Sequence, residues 1–254
     1  MEAGADRRGV AKGGRVSAFL ELFASVPRQG PGLAKDVAWA VAEAGAGEAL
    51  KVCDAGCGTG GDTEALLAAM PGANIVACDK EETLLEAARA RLAGEARVRV
   101  GPGDLAALET LPEAPFDFIW CAGAIYFLGT VNGLRGFRKA LRAGGAVAFS
   151  APVYFRSDAS VDARAFWMDV PVPTEAELRA EVAEAGYELI ADRPLSNAAW
   201  AALYSPLKAE ITRRRDAGAT PEMESVLAAM EQEMALWSRV KRETGYQLVV
   251  ARRP

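Results

Sequence analysis

The chain has 254 residues, 51% hydrophobic and 25% charged, an ordinary globular composition that excludes a disordered or low-complexity protein. Lys plus Arg number 29 against 34 Asp plus Glu, and the net charge of −5 argues against a nucleic-acid partner. Histidine is absent, which removes a Ser-His-Asp triad, a His-ligated zinc or iron and a proximal-His haem, and leaves acid–base work to Asp, Glu, Tyr, Lys, Cys or water.

Residues 1–14, rich in Gly, Ala and charge, read as a mobile leader. Residues 16–26 have the pattern of a short amphipathic helix, broken at Arg28-Gln29-Gly30-Pro31-Gly32 and resumed over 33–45. From there strands and helices alternate. Leu50 to Asp54 is a strand that runs into a glycine loop, 61–70 a helix, Asn74 to Cys78 a second strand and 81–92 a helix. Ala96 to Val100 and Phe116 to Cys121 are the third and fourth strands. A helix over 131–142 is expected to stop at Gly144-Gly145, and Ala146 to Ser150 is the fifth strand. Near-continuous apolar strands between helices predict a parallel sheet covered on both faces.

The last hundred residues follow another pattern. Thr174 and Glu177 form a capping box that opens a helix to about Ala185, and Tyr187 to Ala191 is a sixth strand. About fifty helical residues follow, the second helix with Thr220 as N-cap and Pro221 at its first position. Met223, Val226, Leu227, Met230, Met234, Trp237 and Val240 lie on one stripe of that helix. The stripe reads as core packing, with a homodimer face as the alternative. Tyr246 to Ala251 is a seventh strand. No run of about 18 apolar residues occurs, so neither a membrane span nor a signal peptide is expected. The four cysteines, Cys53, Cys57, Cys78 and Cys121, form no C-x-x-C and suit reduced thiols in a cytoplasmic protein.

The most informative segment is Asp54-Ala55-Gly56-Cys57-Gly58-Thr59-Gly60-Gly61, directly after a buried strand and before a helix. Glycine allows unusual backbone angles and close approach of a ligand, and the helix start offers free N–H groups. Gly56, Gly58 and Gly61 satisfy the dinucleotide fingerprint G-x-G-x-x-G. Gly56, Gly58 and Gly60, preceded by Asp54, satisfy G-x-G-x-G. Asp79 ends the second strand, placed to accept hydrogen bonds from ribose hydroxyls of either kind of cofactor.

The second pattern resembles motif I of class I S-adenosylmethionine-dependent methyltransferases. The resemblance covers about residues 48–190 and the final strand. Asp54 favours it, because a carboxylate there would meet a methionine ammonium but repel a pyrophosphate. The resemblance implies a Rossmann-like seven-stranded, mostly parallel α/β sheet with the last strand antiparallel and a helical lid. It implies an N-terminal segment (1–46) over the cofactor site, a cofactor-binding core (47–196), a helical insert or lid (197–245) and the final core strand (246–254). It also implies S-adenosyl-L-methionine contacts from Asp54, Gly56, Cys57, Gly58, Gly60, Asp79, Lys80, Asp104, Leu105 and Cys121. Asp104 would meet the adenine amino group and Leu105 the ring. A metal is not implied.

Trp120-Cys121-Ala122-Gly123-Ala124-Ile125-Tyr126 lacks the N-P-P-Y or D-P-P-Y of enzymes that methylate planar amino groups of bases or Gln. The segments Arg28–Gly32, Gly123–Tyr126 and Phe166-Trp167-Met168-Asp169 resemble a bacterial small-molecule subgroup of the type 11, or ubiquinone/menaquinone-methyltransferase-like, enzymes. That resemblance implies a small-molecule methyl acceptor. Candidates around the acceptor are Arg28, Tyr126, Tyr154, Trp167, Trp200 and Tyr204, with Tyr126 or an acid the first candidate for a general base. Arg28 would bind a carboxylate of cofactor or acceptor. Cys53, Cys78 and Cys121, on neighbouring strands, read as buried thiols. The competing readings are an NAD-dependent oxidoreductase and a non-catalytic S-adenosylmethionine-binding protein.

Overall fold

The computed structural model describes residues 3–48, 51–168 and 170–254, so Leu50 and Asp169 lie outside the described residues. The apolar runs of the middle of the chain pair as expected. β1 (Lys51–Ala55), β2 (Asn74–Asp79), β3 (Val98–Pro102), β4 (Phe116–Ala122) and β5 (Leu141–Tyr154) are parallel. β6 (Glu188–Pro194) and β7 (Thr244–Arg252) complete a seven-stranded sheet of order β3-β2-β1-β4-β5-β7-β6. β7 runs antiparallel to both of its neighbours. The order reverses direction between β1 and β4, where Asp54 lies beside Trp120, and such a switch point opens a crevice at the carboxyl ends of the strands.

Successive strand residues point to opposite faces, and the two faces bury separate cores. On one, Val52, Phe118, Trp120, Ala148 and Leu248 pack against α2 (Ala34–Glu43), α3 (Gly61–Ala69) and Trp200. On the other, Cys53, Val76, Ile119, Cys121 and Phe149 meet α5 (Thr130–Ala140) and α7 (Glu175–Glu184). Cys53, Cys78 and Cys121 are buried free thiols on β1, β2 and β4, with the Sγ atoms of Cys53 and Cys78 3.9 Å apart. α4 (Glu82–Arg91) follows β2, and α6 (Val161–Phe166) follows β5.

A third apolar cluster lies above the carboxyl edge of the sheet. It joins Leu22 and Phe23 of α1 (Ala3–Ala24) to Leu207 and Ile211 of α8 (Asn197–Asp216) and Met223 and Leu227 of α9 (Pro221–Val240). Met223, Val226, Leu227 and Met230 of the α9 stripe are buried within the chain in this cluster, and Trp237 and Val240 in the first. The N-cap of α9 forms as the sequence predicts, Thr220 Oγ1 accepting from Met223 N–H at 3.2 Å. The Thr174 capping box also forms, Glu177 returning a bond to Thr174 N–H at 2.7 Å.

Two boundaries differ from expectation. The segment 3–14, expected to be irregular, is part of helix α1, which begins at Ala3. Its C-terminal half is fixed by the burial of Ala18, Leu22 and Phe23. The helix over 130–140 ends at Ala140, and Gly144-Gly145 belongs to β5. Phe116 pairs with Leu141 but Phe118 with Ala146, so Gly144, at φ +70°, sits in a bulge.

Candidate active site

The glycine loop leaves β1 through Gly56, Gly58 and Gly60, all at positive φ. Gly56 N–H and Cys57 N–H donate to the Cys78 carbonyl at 2.8 and 3.0 Å, tying the loop to the end of β2. Asp79 continues the seam, Oδ2 accepting from Gly58 N–H and Oδ1 from Glu81 N–H, each at 3.0 Å. From the other side Gln29 clamps Thr59. Its Oε1 accepts from Thr59 N–H at 3.0 Å and its Nε2 donates to Thr59 Oγ1 at 3.1 Å and the Phe23 carbonyl at 2.9 Å. A Cβ at Gly56 would stand 2.8 Å from the Ala124 methyl, so that glycine is demanded by packing as well as by backbone angle.

Asp54 is buried in the switch-point crevice and accepts a 2.6 Å hydrogen bond from Thr63 Oγ1. Burial, then the charge of Asp62, pushes its carboxyl up to about 7. Asp62 itself is satisfied, accepting from Arg28 at 2.6 Å and from Trp120 Nε1 at 3.0 Å. Arg28 therefore spends its charge on Asp62.

These groups border a cavity of about 710 Å³ between the sheet edge and the α1, α8 and α9 layer. Such a volume suits a cofactor together with a small partner. Of the residues singled out by sequence, Asp54, Gly56, Cys57, Gly58, Asp79 and Lys80 line it at the loop end. Arg28, Tyr126, Trp167, Trp200 and Tyr204 also line it. Others do not belong to the wall. Gly60 caps α3 and faces Leu92. Asp104 is exposed and caps the 3-10 turn Leu105–Thr110 through Ala106 N–H at 2.8 Å. Leu105 packs on the core under α5, with Gly56 its nearest link to the loop. Cys121 is fully buried on the face of β4 away from Asp54, and that burial raises its thiol. Tyr154 lies at the end of β5 against Thr174, packed on the core. Asp169 is outside the described residues.

The far end of the cavity is aromatic and acidic. Trp200 and Tyr246 stack with centroids 5.6 Å apart, Trp167 meets Tyr246 edge-on at 5.5 Å, and Tyr204 lies 5.6 Å from Trp200. Tyr204 donates to Glu233 Oε1 at 2.9 Å, and Tyr246 donates to Tyr126. Burial pushes Glu233 up, and it pushes the Tyr126, Tyr204 and Tyr246 phenols up as well. Tyr126, the base candidate anticipated from sequence, lines the cavity with its phenol pushed up. Gln29, Asp62, Glu233 and Tyr246 had been given no role. Glu233 did carry a signal: it lies seven residues after Val226 and four before Trp237, an acid on the apolar stripe of α9.

Comparison with known proteins agrees with this architecture. Residues 52–145 match the family model described as methyltransferase domain. A malonyl-[acyl-carrier protein] O-methyltransferase of Erwinia pyrifoliae is 36% identical over 105 residues, 41% of this chain and 38% of that protein. A trans-aconitate 2-methyltransferase of Variovorax paradoxus is 32% identical over 166 residues, 62% of each chain. The chain thus matches less than two thirds of the length of either relative. A S-adenosylmethionine-dependent methyltransferase from Geobacter sulfurreducens, solved with S-adenosyl-L-homocysteine, superposes with a TM-score of 0.78 at 16% identity, over 92% of this chain and 97% of that one. Residues 52–145 thus resemble a methyltransferase domain, and the whole chain shares the seven-stranded fold of the Geobacter enzyme.

Proposed function

We propose that the protein is a S-adenosylmethionine-dependent methyltransferase acting on a small-molecule acceptor. The observation that carries this is the charge around the loop. Asp54, Asp62, Asp79 and Glu81 all border the cavity there, and the cations Arg28 and Lys80 lie near Asp62 and Glu81. Four carboxylates repel the pyrophosphate of a dinucleotide but suit a ligand with an ammonium and a sulfonium. Asp54, buried without a salt bridge, fits the ammonium. Asp79 has a second lone pair on each oxygen for ribose hydroxyls after binding its two amides.

When bound, S-adenosylmethionine supplies a methyl group on a sulfonium centre to an in-line nucleophile. The protein's contribution is placement and exclusion of water. Holding two reactants in line is worth up to ~7–11 kcal/mol, which leaves little for a strong acid or base to do. The segment from Phe23 to Pro31, clamped through Gln29 and Arg28, serves as the cover of the cofactor end, and α8 and α9 wall the acceptor end. The four free thiols suit a reducing compartment such as the cytoplasm. The acceptor end presents Glu233 and, among the described residues, no arginine or lysine, which does not suit the acidic acceptor named for the Variovorax relative.

Calorimetric titration with S-adenosylmethionine, S-adenosylhomocysteine and NADH tests the reading. Both adenosyl ligands should bind, and Asp79→Ala should abolish that binding. NADH binding without adenosyl binding would replace the reading with a dinucleotide-dependent one.

A further inference from the structure

The acceptor end of the cavity has no place for a negative charge. Glu233 enters it from α9 and is held at one oxygen by Tyr204, 2.9 Å away. No cation pairs with Glu233 among the described residues, since the cavity's arginine is committed to Asp62 and its lysine lies outward, 3.7 Å from Glu81. The groups nearest in field are the phenols of Tyr126 and Tyr246. Around them Trp200, Tyr204, Tyr246 and Trp167 turn ring faces and edges toward one another at 5.5–5.6 Å. A desolvated carboxylate framed by aromatic quadrupoles is an unbalanced site. A cation balances it, whereas a carboxylate ligand adds to the imbalance.

We infer that Glu233 and the surrounding aromatic side chains form an ammonium site, and that the methyl acceptor is therefore a small amine. The acceptor role rests on the methyltransferase reading; the ammonium site does not. Reaction needs the free amine. The ammonium N–H bond breaks with its electron pair left on nitrogen, and the proton forms an O–H bond at a Glu233 oxygen. The upward push of burial on Glu233 makes it a better proton acceptor than an exposed glutamate.

Three probes of similar shape separate the possibilities: phenethylamine, 2-phenylethanol and 3-phenylpropionate. Each is titrated into the full-length protein saturated with S-adenosylhomocysteine, followed by calorimetry and by fluorescence of the tryptophans. The amine should bind at least about tenfold more tightly than the alcohol, and the acid more weakly still. Glu233→Gln keeps an acceptor for Tyr204 and should erase the preference while S-adenosylhomocysteine affinity stays unchanged. Tyr204→Phe, which removes the bond to Glu233 and keeps the ring, should retain the preference. Equal binding of amine and acid, no binding of the amine at millimolar concentration, or a preference that survives Glu233→Gln would overturn the inference. If S-adenosylhomocysteine fails to bind while the amine preference persists without it, the ammonium site stands and the methyltransferase reading falls.

Discussion

Burial costs the Asp54 carboxylate more than its bond to Thr63 returns, and this single side chain sets a pH dependence. Its pKa rises from 3.8 to about 7 on folding. Between those values the native protein holds a proton that the unfolded chain has lost, so this contribution to stability falls as pH rises and is gone above about 7. Asp54→Asn removes it. The difference in unfolding free energy, wild type minus variant, should decline from pH 4.5 to pH 7.5 in urea titrations and then level. A difference that grows with pH would contradict the assigned direction. Ligand binding should show the complementary effect. A cation beside Asp54 draws the pKa back toward 3.8, so binding releases a proton. At pH 6.5 the calorimetric enthalpy of S-adenosylmethionine should change with the ionisation enthalpy of the buffer, and in Asp54→Asn that dependence should vanish as affinity drops at least about tenfold.

At the scale of elements, the connection between α1 and the glycine loop runs through one side chain. Gln29 satisfies Thr59 N–H and reaches back to the Phe23 and Val26 carbonyls. Gln29→Ala leaves a largely buried amide without its partner and should cost about 1–3 kcal/mol. The loss should appear as faster amide exchange over residues 15–31 and 56–61, with the exchange of β4 and β5 unchanged; uniform acceleration would mean that Gln29 supports the whole fold. The sequence made the strands legible because each is an apolar run closed by a turn, and made the helix starts legible because Thr174 and Thr220 are strong caps. Asp54, Gly58 and Asp79 were legible because a fixed spacing ties them to one loop. Gln29 and Glu233 were not, since their partners lie 30 and 29 residues away and no local pattern marks such pairs. Asp104 shows a second role that the sequence pattern does not mark: its carboxylate caps the turn that it opens.

For the molecule as a whole, the separation of apolar clusters divides stability from binding. The cluster under α5 and α7 belongs to one face of the sheet, whereas the cluster of α1, α8 and α9 meets the layers below through Leu84 of α4 and through Tyr204, which it shares with the core on the other face. The second cluster roofs the cavity, so opening of that layer exposes the site without melting the sheet. Phe137 and Leu227 are both fully buried, one in each cluster. Truncation to alanine should cost about 3–5 kcal/mol for Phe137 and 2–5 kcal/mol for Leu227. The losses should differ in kind. Phe137→Ala lowers the global unfolding midpoint, speeds exchange of β4, β5 and α5, and leaves adenosyl affinity near wild type as long as the protein is folded. Leu227→Ala speeds exchange of α1, α8 and α9 first. It also weakens S-adenosylhomocysteine binding, because part of the binding energy must now close the roof, and saturating ligand should restore protection in those helices. If both variants melt in one transition with equal loss of protection everywhere, roof and sheet form one cooperative unit, and access to the cavity must come from side-chain motion at its mouth, where Phe127 and Met168 are the most exposed apolar groups.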